Sequence, residues 1–465
     1  MRLKQPTVGP IVGFTDSEHS RVWFRGSLEI IEPDYYQRCF GVLRFRSKGQ
    51  AVWQKIIYNK MSPNFDMTAV FVIEGLNQET AYEYQVGWLT LDTELELFSK
   101  LPDDIFIWPN EIFTFTSGSS NPNEDRSYIT GSCRYLLRIF GLNIFDDRGD
   151  KIFESIDQQA SEKPINGIIM MGDQIYADDL NLVSPDKYIK EFFERYRLAF
   201  SQPSIRRIMS KYPTYMILDD HEIEDNWPKR AESVDLKVLY PSAIHAYQVY
   251  QASHSPLFQR KSGRIIGTPT KLWYTFDDGC ANWFIMDTRT ERDIVDDARK
   301  IISENQLKEF THWLLKKPEE IKFVVSSVPF FPDLLSESDD KWSFFNNQRD
   351  IILKFIKDNS IKNIFFVSGD VHCSFCCAIR IGDIKVHQIV SSSFFWPYPH
   401  MSAGDFNLAD LKVNSINLAV NVITELYTED NFARIDASFD NRKVIVSFFD
   451  RKGEPLGNPA MLEVV

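Results

Sequence analysis

Ionisable side chains stand directly after the most apolar segments of this 465-residue chain. They are Cys133 after YITGS, Asp173 after GIIMMG, Asp219 and Asp220 after YMIL, and Asp370 after IFFVSG. One acid after a strand is often only a helix cap, but here four separate apolar runs supply such a group. Carboxylates that converge repel one another unless protons or cations offset their charge. Because a pair of divalent or trivalent ions is the simplest offset, this pattern predicts a metal site.

A tyrosine and two histidines stand beside these acids and indicate which ions would bind. Tyr176 follows the acid of the second run by three residues, His221 follows the acid pair, and His372 lies two residues after the last acid. Phenolate and carboxylate oxygens are hard ligands that suit iron(III), manganese or calcium, whereas a zinc site usually carries more His or Cys. Cys133 as a thiolate could join an iron site, although a free Cys is most often a small buried hydrophobe.

Three further segments have more than one interpretation. Arg289 follows the run NWFIM, and its guanidinium could grip phosphate oxygens or form a salt bridge with Asp287 or Glu291. The stretch SSSFFWPYPH at 391–400 could wall a substrate pocket or only pack in the core. The C-x-x-C-C pattern at 373–377 is more simply a continuation of an apolar segment than a redox or soft-metal site.

The first part of the chain is rich in β signals. Residues 1–118 contain six or seven short runs of β-forming residues separated by turn residues, which predicts a β-sandwich of immunoglobulin or fibronectin type. Residues 119–127 are polar and contain Ser, Asn and Pro, so they are the best candidate for a linker.

The remainder, residues 128–465, predicts an α/β layered domain with a largely parallel sheet. Its short apolar runs are typical of strands buried on both faces, and they alternate with helical patterns at 184–200, 304–317 and 347–358. The chain then returns to strands, with a hairpin turn at 440–441. Open α/β sheets place their sites at the carboxyl ends of strands, which is where the candidate residues lie.

Composition excludes several classes of protein. The formal net charge of -13 disfavours non-specific nucleic-acid binding, and six irregularly spaced cysteines do not form a disulfide framework. The chain has no P-loop, no G-x-G-x-x-G after a strand and no G-x-S-x-G. No stretch approaches the roughly 20 apolar residues of a membrane helix. Because MRLKQPTVGP lacks an apolar signal core and a twin-arginine pair, we expect a cytoplasmic protein.

Five motifs occur in the order in which they appear in the PhoD-like alkaline phosphatases, a family of the calcineurin-like metallophosphoesterases. They are GSCRY (131–135), MMGDQIYADD (170–179), LDDHEIEDNW (218–227), IMDTRTER (285–292) and VSGDVH (367–372). The resemblance spans most of residues 128–400. It implies a calcineurin-like αββα core that carries two adjacent metals, preceded by the N-terminal β-sandwich.

The resemblance also implies a role for each matching residue. Asp173 resembles the carboxylate that bridges both metals. The other implied ligands are Cys133, Tyr176 and His372 for a first metal, iron(III), and Asp220 and Asp370 for a second, calcium, with manganese or zinc as other options. His221 resembles a histidine that steadies the transition state or protonates the leaving group. Asn226 matches an asparagine near the substrate or second metal. Ser326 and Ser327 stand where many metallophosphoesterases have a further ligand.

These inferences lead to hydrolysis of phosphate esters by metal-activated hydroxide at a two-metal site, with Arg289 as a phosphate clamp. The expected substrate is a small phosphate monoester or diester, a lipid or nucleotide diester included, and no sequence-specific nucleic-acid partner is expected. The alternative is a non-catalytic binding protein with a vestigial metal site, in which the β-sandwich recognises a partner. The intact strand-end motifs argue against that alternative.

Overall fold

The computed structural model describes residues 1–28, 30–32, 35–36, 38–91, 105–136, 148–181, 185–295 and 299–465. The strands that precede residue 117 are β1 (Val8–Thr15), β2 (His19–Arg25), β3 (Ile30–Glu32), β4 (Tyr35–Tyr36), β5 (Arg38–Ser47), β6 (Ile57–Met61), β7 (Thr68–Glu74), β8 (Ala81–Leu91) and β9 (Phe113–Thr116). This part of the chain therefore has the strand-rich character that its sequence predicts.

From residue 126 to residue 266, strands alternate with helices. The elements are β10 (Arg126–Gly131), α1 (Arg148–Glu162), β11 (Gly167–Met170), α2 (Ile189–Phe200), α3 (Pro203–Met209), β12 (Thr214–Met216), α4 (Leu239–Tyr250), β13 (Gln259–Lys261) and β14 (Arg264–Ile266). Short 3-10 helices across the chain lie at Pro63–Phe65, Asp179–Asn181, Ala252–His254, Trp342–Phe345 and Ala403–Asp405.

From residue 267 onward, the described residues include the α-helices α5 and α6, and the chain ends in strands. Up to residue 390 the elements are β15 (Tyr274–Asp278), β16 (Ala281–Ile285), α5 (Glu304–Lys316), β17 (Ile321–Ser326), β18 (Asp333–Leu334), α6 (Asn346–Asp358), β19 (Ile364–Ser368), β20 (Phe375–Ile381) and β21 (Ile384–Val390). After them come β22 (Phe406–Asn407), β23 (Asp410–Val413), β24 (Ile416–Ala419), β25 (Asn421–Val422), β26 (Asn431–Ser438), β27 (Lys443–Asp450) and β28 (Pro455–Glu463).

Two sheets face each other in the N-terminal part of the molecule. One has the strand order β1-β2-β7-β14-β13 and the other β6-β5-β8-β9. Val22 and Phe71 of the first sheet and Leu43 and Tyr84 of the second belong to one buried apolar cluster. The strands β13 and β14 come from much later in the chain, and β14 pairs with β7. The limits of the predicted segments 1–118, 119–127 and 128–465 stay predictions.

Two mixed sheets form the larger part of the molecule. Their strand orders are β12-β11-β10-β26-β27-β28 and β15-β16-β17-β19-β21-β20-β25. The strands β10, β11 and β12 are parallel, as are β16, β17, β19 and β21, whereas β26, β27 and β28 of the first sheet and β15, β20 and β25 of the second pair antiparallel. The sequence predicts a largely parallel sheet, and the difference comes from hairpins such as β15–β16, β20–β21 and β26–β27 and from the return of β26 to β10 late in the chain.

Side chains that alternate along each strand build three successive cores. Ile169 and Phe323 lie in an apolar cluster between the two mixed sheets. Ile168 packs on the opposite face of its sheet, in a cluster with α1 to α4. Val324 likewise packs in a cluster with α5 and α6. The layers therefore follow the order helices, sheet, sheet, helices, and the carboxyl ends of both sets of parallel strands come close together.

The helices agree with the sequence patterns at two of three places. The helix predicted at 304–317 is α5, whose N-cap Ser303 accepts a hydrogen bond from the backbone of Gln306, and the helix predicted at 347–358 is α6. The helix predicted at 184–200 begins only at Ile189 because the Glu191 carboxylate accepts from the backbone N–H of Tyr188 and caps the helix there. Ser184, the first residue of the predicted helix, lies outside the described residues. No described helix combines the length and apolarity that a membrane crossing needs.

Candidate metal centre

Four carboxylates converge where strands of both mixed sheets end. Asp173 follows β11, Asp219 and Asp220 follow β12, and Asp370 follows β19 of the other sheet. Each side chain offers an oxygen, and these atoms all lie within 4.8 Å of one another. His221 offers a ring nitrogen within the same distance of Asp173 and Asp220. The structure therefore brings together acids that are distant in sequence, and we call this group the acidic cluster.

The backbone at these strand ends is held in a left-handed conformation. The φ angles are 55° at Cys133, 55° at Asp173, 58° at Asn226, 68° at Asp370 and 47° at His372. A non-glycine residue in this region is uncommon, and the cost is tolerated mainly where surrounding structure determines the conformation. The turns after β10, β11 and β19 thus direct their side chains into the cluster at a conformational cost.

Glycines let these turns approach one another. A Cβ atom on Gly172 would overlap the Cβ of Asp219, and one on Gly369 would overlap the side chain of Ser132. Ser132 in turn accepts a hydrogen bond from the backbone N–H of Asp370 at 3.3 Å. The glycines before Asp173 and Asp370 are therefore needed for the close approach of neighbouring turns.

Glu222 ties the turns to each other from behind. Its carboxylate accepts hydrogen bonds from the backbone N–H groups of Asp173 at 3.0 Å, Gln174 at 2.7 Å and Asp219 at 3.0 Å. The side chain of Gln251 donates a fourth at 3.1 Å. Burial raises the pKa of Glu222 to about 7, against the lowering effect of these donors. The sequence analysis missed this residue, and its signal was a further acid inside the run LDDHE.

Cys133 and Tyr176 both contact the same oxygen of Asp173. The Cys133 thiol donates to Asp173 Oδ2 at 3.3 Å, and the Tyr176 hydroxyl donates to it at 3.4 Å. Burial, followed by the charge of nearby acids, raises the pKa of the Cys133 thiol, and burial also raises that of Tyr176. The thiol and the phenol are thus placed beside the carboxylate that the sequence analysis assigns to both metals.

Several polar atoms of this site are buried without a hydrogen-bond partner among the described residues. They are Asp173 Oδ1, Asp219 Oδ2, Asp220 Oδ1 and His372 Nε2. Burial and neighbouring carboxylates raise the pKa values of Asp173 and Asp370 well above the ordinary range. A buried polar atom without a partner is costly, and converging acids repel. Oxygen and nitrogen donors in this state fit bound cations, and the identity of the ions stays a prediction.

His221 is oriented by an acid that the sequence analysis did not select. Its Nδ1 lies 3.0 Å from both oxygens of Asp178, and Asp178 also accepts from the backbone N–H of Asp225 at 2.8 Å. Burial favours the neutral ring, but Asp178, Asp220 and Asp173 raise the pKa of His221 well above its usual value. The only sequence signal for Asp178 was its place in the motif YADD.

Arg289 is buried and takes part in an ion-pair network. Its guanidinium donates to Asp219, lies 2.8 Å from Asp340 Oδ1, and lies 3.5 Å from Asp220 Oδ1. Burial raises the pKa of Asp219 to about 6, although the charge of Arg289 acts in the opposite direction. For Asp220, burial also acts to raise the pKa, but the charge of Arg289 is the main cause that lowers it to about 2. This placement does not favour a phosphate clamp. The expected salt-bridge partner Asp287 instead accepts from the backbone N–H of Arg289 at 3.1 Å.

Asn226 supports the cluster through its backbone. Its N–H donates to Asp220 Oδ2 at 2.7 Å. Its side chain is engaged with Asp225, to which Nδ2 donates at 2.8 Å, and with Ser338, which donates to Oδ1 at 3.3 Å. The structure thus places Asn226 beside the cluster with its amide already hydrogen-bonded.

The stretch 391–400 both packs in the core and borders the site. Phe394 and Phe395 are fully buried. Trp396 stacks on the ring of His372, with centroids 3.8 Å apart and planes 17° apart. The backbone carbonyl of His372 accepts from His400 Nδ1 at 2.7 Å. The packing interpretation therefore holds for Phe394 and Phe395, whereas Trp396 borders the site and its role as a pocket wall stays a prediction.

Two other segments of interest contribute no member to the acidic cluster. Ser327 hydrogen-bonds Thr288 at 2.7 Å, and Ser326 donates to the carbonyl of Val328 at 2.6 Å, so both serines already have partners. The cysteines of 373–377 are buried and unbridged, and two of them lie in β20. The interpretation of C-x-x-C-C as part of an apolar segment is confirmed.

The sequence of this chain matches a known protein family. Residues 145–407 match the sequence model of the PhoD-like phosphatases. Alkaline phosphatase D of Bacillus subtilis (strain 168) is 26% identical over 238 residues, which cover 44% of this chain and 39% of that protein. The alignment thus spans well under half of the length of that relative. A solved structure described as "Structure of PhoD" has a TM-score of 0.68 at 17% identity and covers 99% of this chain and 89% of its own. At this identity, the likeness shows a shared fold.

Proposed function

We propose that this chain, which belongs to the PhoD-like phosphatase family, hydrolyses phosphate esters at two metal ions held by the acidic cluster. The observation that carries the proposal is the convergence of Asp173, Asp219, Asp220 and Asp370 within 4.8 Å. Buried oxygens without partners belong to three of these acids. Such a group is electrostatically costly as it stands and becomes favourable when cations bind it.

The residues of the site divide between the two ions. Asp173 would bridge them, since Cys133 and Tyr176 contact one of its oxygens and the other has no partner. The proposed ligands of the first ion, iron(III), are Cys133, Tyr176 and His372, and those of the second, calcium, are Asp220 and Asp370. Manganese and zinc are the other ions to be tested. When bound, two cations polarise phosphoryl oxygens and lower the pKa of water.

The chain's own side chains would handle the proton and the geometry. Asp178 occupies Nδ1 of His221, which leaves Nε2 as the nitrogen available to the substrate. Asp178 orients this ring and, together with Asp220 and Asp173, raises its pKa against the effect of burial. His221 is therefore suited to give a proton to the departing oxygen. Arg289 holds Asp219 and Asp220 and acts as a positioning residue, while the backbone of Asn226 fixes Asp220.

We also propose the finer description of the fold. The order helices, sheet, sheet, helices supports a calcineurin-like αββα core over residues 128–465. The two sheets that share one apolar cluster support an N-terminal β-sandwich of immunoglobulin or fibronectin type over 1–118, joined by the linker 119–127. In this proposal, the sandwich supports the catalytic domain rather than binding a partner independently.

The test combines metal analysis with hydrolysis. The purified protein is stripped with a chelator, reloaded with iron and calcium or with manganese or zinc, and assayed on 4-nitrophenyl phosphate and bis(4-nitrophenyl) phosphate. We expect about two metals per chain and metal-dependent release of 4-nitrophenolate. Asp173→Asn should lower kcat/KM by at least about 100-fold, because metals contribute several kcal/mol of transition-state stabilisation.

A matched control separates loss of metal from loss of folding. Asp278 is also a buried acid, but it is paired with Arg126 at the opposite end of β10, so Asp278→Asn should keep metal content and turnover. Normal turnover by metal-loaded Asp173→Asn protein would overturn the assignment. A folded, metal-loaded wild type without activity on either ester would instead support the binding-protein alternative.

A further inference from the structure

A row of aromatic rings leads from the acidic cluster to the protein surface. Trp396 stacks on His372 at 3.8 Å and meets the ring of Tyr398 at 5.2 Å. Tyr135 lies behind both, 5.9 Å from Trp396 and 6.1 Å from Tyr398. Tyr398 is 40% exposed, whereas Tyr135 is buried. We call Tyr135, Trp396 and Tyr398 the aromatic wall.

The aromatic wall is held in place by backbone hydrogen bonds on both sides. The Tyr135 N–H donates to the carbonyl of Phe395 at 3.1 Å, so the segment that carries Trp396 is joined to the segment that carries Cys133. The Trp396 N–H donates to Asp430 Oδ1 at 2.8 Å. Two prolines flank Tyr398 and restrict the backbone there. Rings fixed in this way lose little conformational entropy when a ligand binds them.

Aromatic rings border this side of the site, and the charged groups next to Trp396 are already paired. Asp430, which accepts from the Trp396 N–H, lies 3.8 Å from His400 Nε2 and 3.8 Å from Arg451 Nε. The ring of Trp396 separates His372 from Tyr398, and each presents an aromatic surface. The guanidinium of Arg289 is buried and is paired with Asp219 and Asp340. A large ring that is exposed beside a polar site offers stacking and apolar contact to a ligand.

We propose that the aromatic wall is a subsite for a ring-bearing, apolar ester group, so that the protein prefers phosphodiesters whose second ester group is aromatic. The proposal rests on the proposed function and deepens it. A phosphate bound at the acidic cluster lies beside His372, and its non-scissile ester group then comes within reach of Trp396 and Tyr398. A small ester group such as methyl leaves these rings in contact with water and gains nothing from them.

The test varies the second ester group while the leaving group stays constant. Methyl 4-nitrophenyl phosphate and phenyl 4-nitrophenyl phosphate both release 4-nitrophenolate when water adds at phosphorus and the nitrophenyl P–O bond breaks. The metal-loaded wild type should have a higher kcat/KM for the phenyl diester. Tyr398→Ala should lower that value by about tenfold, because one aromatic contact with its apolar area contributes about that factor. It should change the methyl diester less than about twofold.

Three further variants separate binding from structure. Tyr398→Phe keeps the ring and should retain the preference. Trp396→Phe keeps a ring against His372. This variant should lose part of the preference for the phenyl diester and keep its metal content. Phe65→Ala, at a residue that is 53% exposed and lies in the 3-10 helix between β6 and β7, should have no effect on either substrate.

Each other outcome overturns the subsite. An equal loss on both diesters in Tyr398→Ala would show that the ring only supports the fold of the site. Unchanged kcat/KM on both would show that the ring does not contact the substrate. If the metal-loaded wild type hydrolyses neither diester nor 4-nitrophenyl phosphate, the proposed function itself fails, and the subsite fails with it.

Discussion

Residues at the strand ends keep a backbone conformation that costs each of them about 1–2 kcal/mol relative to the right-handed regions. Cys133, Asp173 and Asp370 do so in turns that follow three different strands. The cost is met by contacts outside each turn, because Glu222 and Ser132 accept hydrogen bonds from the backbone there. The geometry of the site is therefore set by groups that would not themselves bind metal.

Replacing Glu222 with Ala tests this at a single residue. The change leaves three buried backbone N–H groups without an acceptor, those of Asp173, Gln174 and Asp219. We expect the free energy of unfolding to fall by about 3 kcal/mol or more, since each unsatisfied buried donor costs about 1–3 kcal/mol. Urea unfolding of the metal-free protein measures it. The exposed acid Glu154 in α1 is the control, and Glu154→Ala should change stability by less than about 0.5 kcal/mol. A Glu222→Ala protein as stable as the wild type would refute the role.

The sequence predicts a residue of the site well when its signal is local. Cys133, Asp173 and Asp370 each follow an apolar run, so their position at a strand end could be predicted. Asp340 could not, because it reaches the site from a segment without a regular pattern and through a contact distant in sequence. For Trp396 the sequence left a pocket wall and core packing open, and only the structure shows the stacking on His372. The sequence offered Arg289 as a phosphate clamp or as a salt-bridge partner of Asp287 or Glu291, and only the structure shows that it pairs with Asp219 and Asp340.

The turns after β11 and β12 depend on the absence of a side chain. Gly172 has a φ of 96°, and a Cβ there would overlap Asp219. Gly267 also has a positive φ, 76°, but a Cβ there would meet nothing within 4 Å. Comparing the two positions separates the cost of backbone conformation from the cost of close approach.

We expect Gly172→Ala to lower the free energy of unfolding by about 3 kcal/mol and to reduce metal binding. Both effects have the same cause, because the turn must move away from Asp219 to admit the methyl group. Gly267→Ala should cost only about 1 kcal/mol, the conformational penalty alone. Thermal unfolding and metal titration of both variants measure the difference. Equal costs at the two positions would contradict the close approach.

Helices and hairpins with a clear pattern of apolar and turn residues were easier to predict than the pairing of strands that are distant in sequence. The helices at 304–317 and 347–358 and the hairpin at 440–441 follow from spacing and turn residues, and α5, α6 and the β26–β27 pair agree. The pairing of β10 with β26, and of β7 with β14, could not be predicted. Strand pairing depends on matching surfaces across the whole fold, and a single sequence gives no pairing signal over such separations.

At the scale of the whole molecule, the N-terminal sheets are joined to the rest by buried contacts. Trp23 Nε1 donates to the carbonyl of Val249 at 2.9 Å, and the Tyr84 hydroxyl donates to the carbonyl of Ser210 at 2.6 Å. Val8, Ile11 and Trp23 belong to the same apolar cluster as helices α1 to α4. The two parts therefore share a core, which couples their stability.

Calorimetry should accordingly show one cooperative unfolding transition. Trp23→Phe removes the hydrogen bond to Val249 and leaves a small cavity, so it should lower the single Tm by on the order of 2 °C or more. Trp53→Phe, at a half-buried residue in the connection between β5 and β6, should leave the Tm nearly unchanged. Two resolved transitions, with only one shifted by Trp23→Phe, would show that the parts unfold independently.

The pairing of β10 with β26 also affects how the chain folds during its synthesis. On a ribosome, β10 emerges roughly 300 residues before β26, which at about 5–20 residues per second is a delay of tens of seconds. During that time, β11 can cover one edge of β10, but the other edge offers unpaired peptide groups to any neighbouring nascent chain. A slow or stalled translation of the last third of the message would prolong that exposure and favour aggregation before the catalytic turns are complete.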